Sequence, residues 1–316
     1  MKSLYREYRP KNFAEVIGQN HITQTIQNQI KADQISHAYL FCGTRGTGKT
    51  SVAKILAKTL TGEMDIFEID AASNNSVQDV REITDRVKYP PITGKYKVYI
   101  IDEVHMFSSS AFNAFLKTLE EPPAHVIFIL CTTEPHKLLP TVLSRCLRFD
   151  FRSVSADNIE KLITKILKKE NVAVSTGAVK LLATAGCGSV RDALSYTETV
   201  SAYCAGREIT EADVAVVLGT VGAEVLTELL NNIKNKNVAA IKKTTDKIFS
   251  GGINTNMLVR NFLEIIKGDL CGCDPQRVGV SLTNTFRVFS ELELLIKNSV
   301  DPRSQFENAC LLASMG

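Results

Sequence analysis

The amino-acid sequence predicts an α/β P-loop domain, a parallel sheet with flanking helices, followed by two helical regions. Three observations carry this. An apolar run, Ala38 to Phe41, leads into Gly43-Thr-Arg-Gly-Thr-Gly-Lys-Thr50 and then into a helical pattern from Ser51 to Leu60, the strand, loop and helix that a P-loop needs. A second unbroken apolar run, Lys97 to Ile101, ends in Asp102-Glu103, and such runs suit parallel strands covered on both faces. From Ser155 onward the strand pattern disappears and helical periodicity takes over.

In order along the chain, Leu4 to Gln19 mixes aromatics, arginines and a proline and reads as an ordered arm. A helix is expected from Asn20 to Ala32, with Asn20 as its N-cap. After the P-loop helix come a short strand, Ile66 to Ile69, closing on Asp70, and a helix from Ser76 to Val87. Tyr89-Pro-Pro-Ile-Thr-Gly94 breaks the chain before the Lys97 strand. A helix from Ser109 to Leu119 stops near Pro122-Pro123, and strands follow at Val126 to Leu130 and Leu147 to Phe151. Strands and helices thus alternate as in a doubly wound fold. Helices are then expected at Asn158 to Glu170, Thr176 to Ala185, Val190 to Cys204 and Glu211 to Leu218. A further helical region, Thr220 to Met315, is interrupted at Ser250-Gly-Gly252 and Cys273-Asp-Pro275. The expected domains are 1–153, 154–218 and 219–316.

With 316 residues, 44% hydrophobic and 22% charged, the composition is that of an ordinary soluble protein. No apolar run reaches membrane-spanning length, and the polar start, Met1-Lys-Ser-Leu-Tyr-Arg-Glu, is no signal peptide, so a cytoplasmic location without membrane contact is expected. A net charge of +3 neither demands nor excludes nucleic acid, and Lys161, Lys165 and Lys168 read as a solvated helix face. The eight cysteines are scattered through mostly apolar segments, which favours reduced buried thiols over disulfides. The single intervening residue of Cys271-Gly-Cys273 is a poor spacing for zinc.

The P-loop spacing specifies its own chemistry. Its glycines let the backbone curl so that N–H groups face a phosphate, and the helix N-terminus adds positive potential. Gly43, Thr44, Gly46, Thr47, Gly48, Lys49, Thr50 and Ser51 are therefore the expected nucleotide cradle. Lys49 neutralises the β- and γ-phosphates, and Thr50 ligates Mg²⁺. Asp102 is expected to hold the Mg²⁺ shell and Glu103 to orient and polarise an attacking water.

Several segments are more specific than the P-loop. Tyr8-Arg-Pro-Lys-Asn-Phe13, Val16-Ile-Gly-Gln19, Glu68-Ile-Asp-Ala-Ala-Ser-Asn74, Tyr99-Ile-Ile-Asp-Glu-Val-His-Met106, Leu116-Lys-Thr-Leu-Glu-Glu-Pro-Pro123, Thr132-Thr-Glu-Pro-His-Lys137 and Leu143-Ser-Arg-Cys146 closely resemble the bacterial DNA polymerase III gamma/tau subunits, AAA+ motors of the sliding-clamp loader. The resemblance runs the length of the chain and is densest over 1–200. It implies that Thr133 is the sensor-1 hydroxyl, that Arg145 is an arginine finger directed at a neighbouring subunit's nucleotide, and that Arg191 is a sensor-2 residue reaching the phosphates of its own subunit. It also implies that Tyr8, Arg9, Val16 and Ile17 bracket adenine, that 154–218 is a lid, and that 219–316 is an oligomerising collar.

The function so implied is ATP hydrolysis, with ATP and Mg²⁺ bound, driving the opening and loading of a sliding clamp. The implied partners are other clamp-loader subunits (gamma/tau copies, delta-like and delta-prime-like subunits), the clamp and primer-template DNA. No polymerase active site is expected. Two alternatives stay open: another DNA-associated AAA+ remodelling ATPase, and a non-hydrolysing clamp-loader scaffold subunit. The sequence departs from the family in one place. Gamma/tau subunits usually carry a four-cysteine zinc module between the P-loop helix and the Glu-Ile-Asp strand, where this chain has only Thr61-Gly-Glu-Met-Asp65, so no zinc site is expected.

Overall fold

The computed structural model describes residues 3–250, 253–272, 280–296 and 299–315. They divide into two compact units. One takes the described residues up to Ile163 together with Gly186–Ser195; the other takes Thr164–Ala185 and the described residues from Tyr196 on.

In the first unit the arm contains a single-turn helix, α1 (Leu4–Glu7), and a 3-10 turn, Phe13–Glu15, before α2 (Asn20–Lys31). The P-loop links β1 (Ala38–Cys42) to α3 (Lys49–Leu60). Then come β2 (Ile66–Asp70), α4 (Val77–Val87), β3 (Lys97–Asp102), α5 (Ser109–Glu120), β4 (Val126–Thr132), the short α6 (Pro140–Leu143) and β5 (Leu147–Asp150). All five strands are parallel, in the order β2-β3-β4-β1-β5. The register sets Phe41 beside Cys131 and Asp70 beside Asp102, so the C-terminal strand ends line up along one rim.

The pleat sorts the core. Leu40, Tyr99, Ile101, Phe128 and Leu130 point to the face covered by Val80, Phe112, Phe115 and Leu119 of α4 and α5. Their alternates Tyr39, Phe41, Val98, Ile100, Ile127 and Ile129 meet Ile22, Ile26, Val52 and Leu56 of α2 and α3. The three central strands are buried almost throughout, as their apolar runs require. The outer strands differ: β2 is only half-buried and β5 mostly exposed, with Arg148 donating to Asp150 on its edge, a charged margin that discourages further pairing.

Helix starts are set by side-chain acceptors. Ser76 lies just outside α4 and forms a reciprocal capping box with Asp79; Ser108 caps α5 through the Ala111 N–H. One expectation fails: Asn20 is the first residue of α2 rather than its cap. Gln19 occupies the cap position and makes no cap hydrogen bond, because its side chain is engaged elsewhere.

The short connection at Thr61-Gly-Glu-Met-Asp65 is closed by a carboxylate. Asp65 is buried and accepts from the N–H groups of Ile92, Thr93 and Gly94 at 2.6, 2.7 and 3.1 Å and from the Thr93 hydroxyl at 2.8 Å. Burial pushes this carboxyl's pKa up, but the hydrogen bonds from Ile92, Thr93 and Gly94 outweigh it, and the net position is below the ordinary aspartate value.

The second unit is helical: the C-terminal part of α7 (Ala156–Lys169), α8 (Thr176–Ala185), most of α9 (Val190–Cys204), α10 (Glu211–Leu218), α11 (Ala223–Lys234), α12 (Val238–Phe249), α13 (Thr255–Gly272), α14 (Val280–Leu295) and α15 (Pro302–Met315). A core of Leu226, Leu230, Phe262, Ile266, Phe289 and Phe306 joins α11 and α13 to α15. Thr210 and Asp213 form a capping box at α10, and Arg207 grips the same carboxylate with two nitrogens at 2.7 and 2.6 Å. Lys161, Lys165 and Lys168 of α7 are exposed. Cys42, Cys131, Cys204 and Cys310 are buried free thiols, whereas Cys187 is exposed, on a left-handed turn. Gly251, Gly252 and the Cys273-Asp-Pro275 break, with Cys273 of the close cysteine pair, lie outside the described residues. No helix among the described residues is long and apolar enough to cross a membrane.

Asp65→Ala strands several buried donors and should lower stability by about 2 kcal/mol at neutral pH, read by chemical denaturation. Because the folded carboxyl titrates below the unfolded one, the difference from the native chain should persist at neutral pH. It should shrink only as pH falls below the ordinary carboxylate range and through the folded pKa.

Candidate nucleotide site

The rim of the sheet carries a cavity of about 460 Å³. Five parts of the first unit build it: the arm (Tyr5, Tyr8, Arg9, Val16 and Ile17), the P-loop from Gly46 to Ser51, Asp102 at the end of β3, Leu162 of α7, and the α9 start with Val190 and Arg191.

Two glycines show why the P-loop has its shape. At Gly43 (φ +146) a Cβ would lie 2.5 Å from the Phe151 carbonyl oxygen, and at Gly46 (φ +76) it would lie 1.9 Å from the Ser189 hydroxyl oxygen. The close approach at Gly46 lets its carbonyl accept from the Val190 N–H at 3.0 Å, which ties the loop to the segment bearing Arg191. Thr47 closes the loop internally, its hydroxyl donating to the Thr44 carbonyl at 2.8 Å.

Lys49 is 5% exposed. Its ammonium donates to the carbonyls of Gly43 and Thr44, both at 2.9 Å, so these two residues hold the lysine and do not line the cavity. Burial pulls its pKa below the ordinary lysine value, and the potential of Glu103 and Asp102 recovers part of the loss. Thr50 donates its hydroxyl to Asp102 at 2.7 Å. That pair offers two hard oxygens at one point, the donor chemistry that Mg²⁺ prefers, so these residues fit the ion implied by the motif.

Glu103 and Thr133 lie beside the cavity rather than in its lining, with the Thr133 hydroxyl donating to Glu103 Oε2 at 3.1 Å. Tyr8, Val16 and Ile17 line the cavity. Arg9 also lines it, but its Nε donates to the Ser51 hydroxyl at 3.1 Å, and burial lowers its pKa. Arg191 lies over the Tyr5 ring, 5.0 Å from its centroid. Arg145 is not among these residues. Its side chain, 34% exposed, donates to the Thr141 carbonyl at 2.8 Å and pairs with Glu120 at 2.8 Å.

Sequence reasoning overlooked three contributors. Gln19 is fully buried; its amide donates to the carbonyls of Thr47 and Arg152 at 3.3 and 2.6 Å and accepts from the Arg152 N–H at 3.2 Å. It thereby pins the arm to the P-loop and to the end of β5. A glutamine before a helix reads as surface, and only its place in the Val16-Ile-Gly-Gln19 segment marked it. Tyr5 and His105 gave no signal of their own. Gln19→Leu should leave those carbonyls unpaired, costing about 1–3 kcal/mol in the unfolding of this unit and weakening nucleotide binding measured by calorimetry.

Comparison with known proteins bears on this site. A family profile described as DNA polymerase III, delta subunit, matches residues 18–75 and 63–155, and one described as DNA polymerase III clamp loader subunit, ATPase lid domain, matches residues 158–206. The DNA polymerase III subunit tau of Bacillus subtilis is 40% identical over 92% of this chain, and that of Escherichia coli 40% identical over 83%. The chain spans about half of these two relatives, 56% and 44% of their lengths. The DNA polymerase III subunit gamma of Buchnera aphidicola is 36% identical over 83% of this chain and 77% of its own length. Among solved structures, the RuvB Holliday junction branch migration motor of Thermotoga maritima has a TM-score of 0.58 at 18% identity. The match covers 81% of this chain and 90% of that one, and is a likeness of fold. A gamma subunit matched over most of its own length, together with the lid profile, makes this chain a member of the DNA polymerase III gamma/tau subunit family.

Proposed function

We propose that the chain is an ATP-hydrolysing motor subunit of a DNA polymerase III clamp loader, opening a sliding clamp and loading it onto primed DNA. The observation that carries the reading is the convergence of Lys49, Thr50 and Asp102 on one cavity together with an arm of the right composition for a base. The triphosphate lies along the P-loop N–H groups and draws the Lys49 ammonium off the Gly43 and Thr44 carbonyls. Thr50 and Asp102 would hold Mg²⁺, which when bound would supply positive charge against that developing on the phosphates. Glu103 orients and polarises the attacking water, with Thr133 beside it as the sensor-1 hydroxyl. Tyr8, Arg9, Val16 and Ile17 bracket adenine, and Arg191 leaves Tyr5 for the phosphates.

Arg145 serves a different nucleotide, that of a neighbouring subunit. Its position outside its own cavity and its partly exposed guanidinium support this, since planar donors suit a spread phosphoryl charge. The domain division belongs to the same reading: a motor over 1–153, a lid over 154–218, which the lid profile supports, and a collar over 219–316. The partners are gamma/tau copies, delta-like and delta-prime-like subunits, the clamp and primer-template DNA, in the cytoplasm. No zinc is required, because Asp65 closes the connection that carries the module in relatives.

The decisive measurement is ATP turnover of the reconstituted complex with and without clamp and primed DNA. Stimulation by both together is expected. Stimulation by DNA regardless of clamp favours a different remodeller, and absence of Mg-ATP binding favours a scaffold. Lys49→Ala should weaken Mg-ATP binding at least about tenfold, roughly 1.4 kcal/mol. Arg145→Ala should keep binding within about twofold yet lower turnover of the assembled complex by about a hundredfold or more, as arginine fingers do.

A further inference from the structure

We infer that His105 is a positioning residue for Glu103, fixing one oxygen of that carboxylate so that the other is turned toward the reacting water. The inference rests on the reading of Glu103 as the water-orienting base.

The backbone brings the two side chains together. Glu103 follows β3 with φ +48, in the left-handed region, and the chain then makes the 3-10 turn Val104–Met106, closed by the Met106 N–H on the Glu103 carbonyl at 2.8 Å. Val104 and Phe107, on either side of His105 and Met106, are buried in the core and anchor the turn. Reversal at Glu103 returns the His105 imidazole to the same rim, where its side chain is only 7% exposed.

The ring meets the end of β4. His105 Nδ1 is 3.0 Å from the Thr132 hydroxyl oxygen and 3.4 Å from Glu103 Oε2. The Thr132 oxygen also accepts from the Glu134 N–H at 3.0 Å, and His105 Nε2 faces Glu134 Oε2 at 3.9 Å. Thr132 thus ties the ring to the β4 end through Nδ1, whichever of the two groups donates. The ring edge at Nδ1 and the Thr133 hydroxyl thus both close on a single atom, Glu103 Oε2, the hydroxyl by a hydrogen bond at 3.1 Å and the ring as a contact at 3.4 Å. Among the described residues Oε1 accepts no side-chain hydrogen bond, which leaves it as the acceptor for water. Catalytic groups misplaced by about 1 Å lose about a hundredfold in rate, so a partner that sets the carboxylate's rotation has leverage without touching substrate.

A buried histidine can also be a mere structural tie, and three variants in the full chain, assembled with its partner subunits, separate the two roles. His105→Leu should lower ATP turnover by about ten- to a hundredfold while KM for Mg-ATP stays within about twofold. His105→Asn, whose amide nitrogen reaches the Nδ1 place, should restore turnover to within about threefold of native. His105→Gln, which reaches the Nε2 place instead, should stay as slow as leucine. Equal turnover in the Asn and Gln variants, or native turnover in all three, overturns the proposal. Should the leucine variant fail to fold, the Asn and Gln pair decides. Glu103→Gln is the companion control: unchanged turnover there removes the base reading and this one with it, whereas a dead Glu103→Gln beside an active His105→Leu removes only this one.

Discussion

A cation buried at the end of a sheet is the constraint on which the rest of this molecule depends. The Lys49 ammonium has left water, and its charge is balanced by two P-loop carbonyls, with Asp102 and Glu103 on the strand beyond. The strand order makes this possible. β3, which ends in Asp102 and leads into Glu103, is separated from β1 by β4, so Thr132 at the end of β4 and Thr133 after it are held between the P-loop and Glu103. Placing β3 directly beside β1 would leave the threonine hydroxyls elsewhere. Crossover connections cover both faces of the sheet, and the same helices that bury its core carry the loops of the rim.

The arm and the α9 start close the site from two further sides, each through a single economical contact. Gln19 reaches the P-loop and the end of β5 with one amide, and the Gly46 carbonyl takes the Val190 N–H through a gap that no Cβ could share. Tyr5 and Arg191 meet across the opening, an aromatic face against a cation. The cavity therefore has walls from distant parts of the sequence but a floor from one continuous loop.

How much of this the sequence made legible follows from where the information lies. Helix and strand positions were legible because burial on one face or two leaves a period in the residues, and Thr176–Ala185, Val190–Cys204 and Glu211–Leu218 match their expected spans to the residue. That Lys49, Thr50 and Asp102 meet at one cavity was legible because the chemistry expected of a P-loop needs fixed types at fixed spacing. Strand order was not, since any parallel order satisfies the same apolar runs. The role of Gln19 was hidden because a side chain's tertiary partner leaves no local pattern, and the same diversion defeated the cap assignment at Asn20. His105 was hidden twice over: its position depends on a left-handed residue that is not glycine, and on a β4 terminus that approaches only in three dimensions.

The pairing of Arg145 with Glu120 carries a thermodynamic consequence. Both side chains are partly in water, and exposed ion pairs are worth roughly 0–1 kcal/mol, so detaching this guanidinium costs little more than thermal energy. Its second anchor, the Thr141 carbonyl, lies on the short helix α6 just before it and keeps the direction of the side chain while leaving its charge available. An arginine tethered in this way is ordered in advance yet nearly free to exchange acceptors. A more concentrated negative charge outcompetes so weak a pair, and the pair re-forms only when that charge is gone.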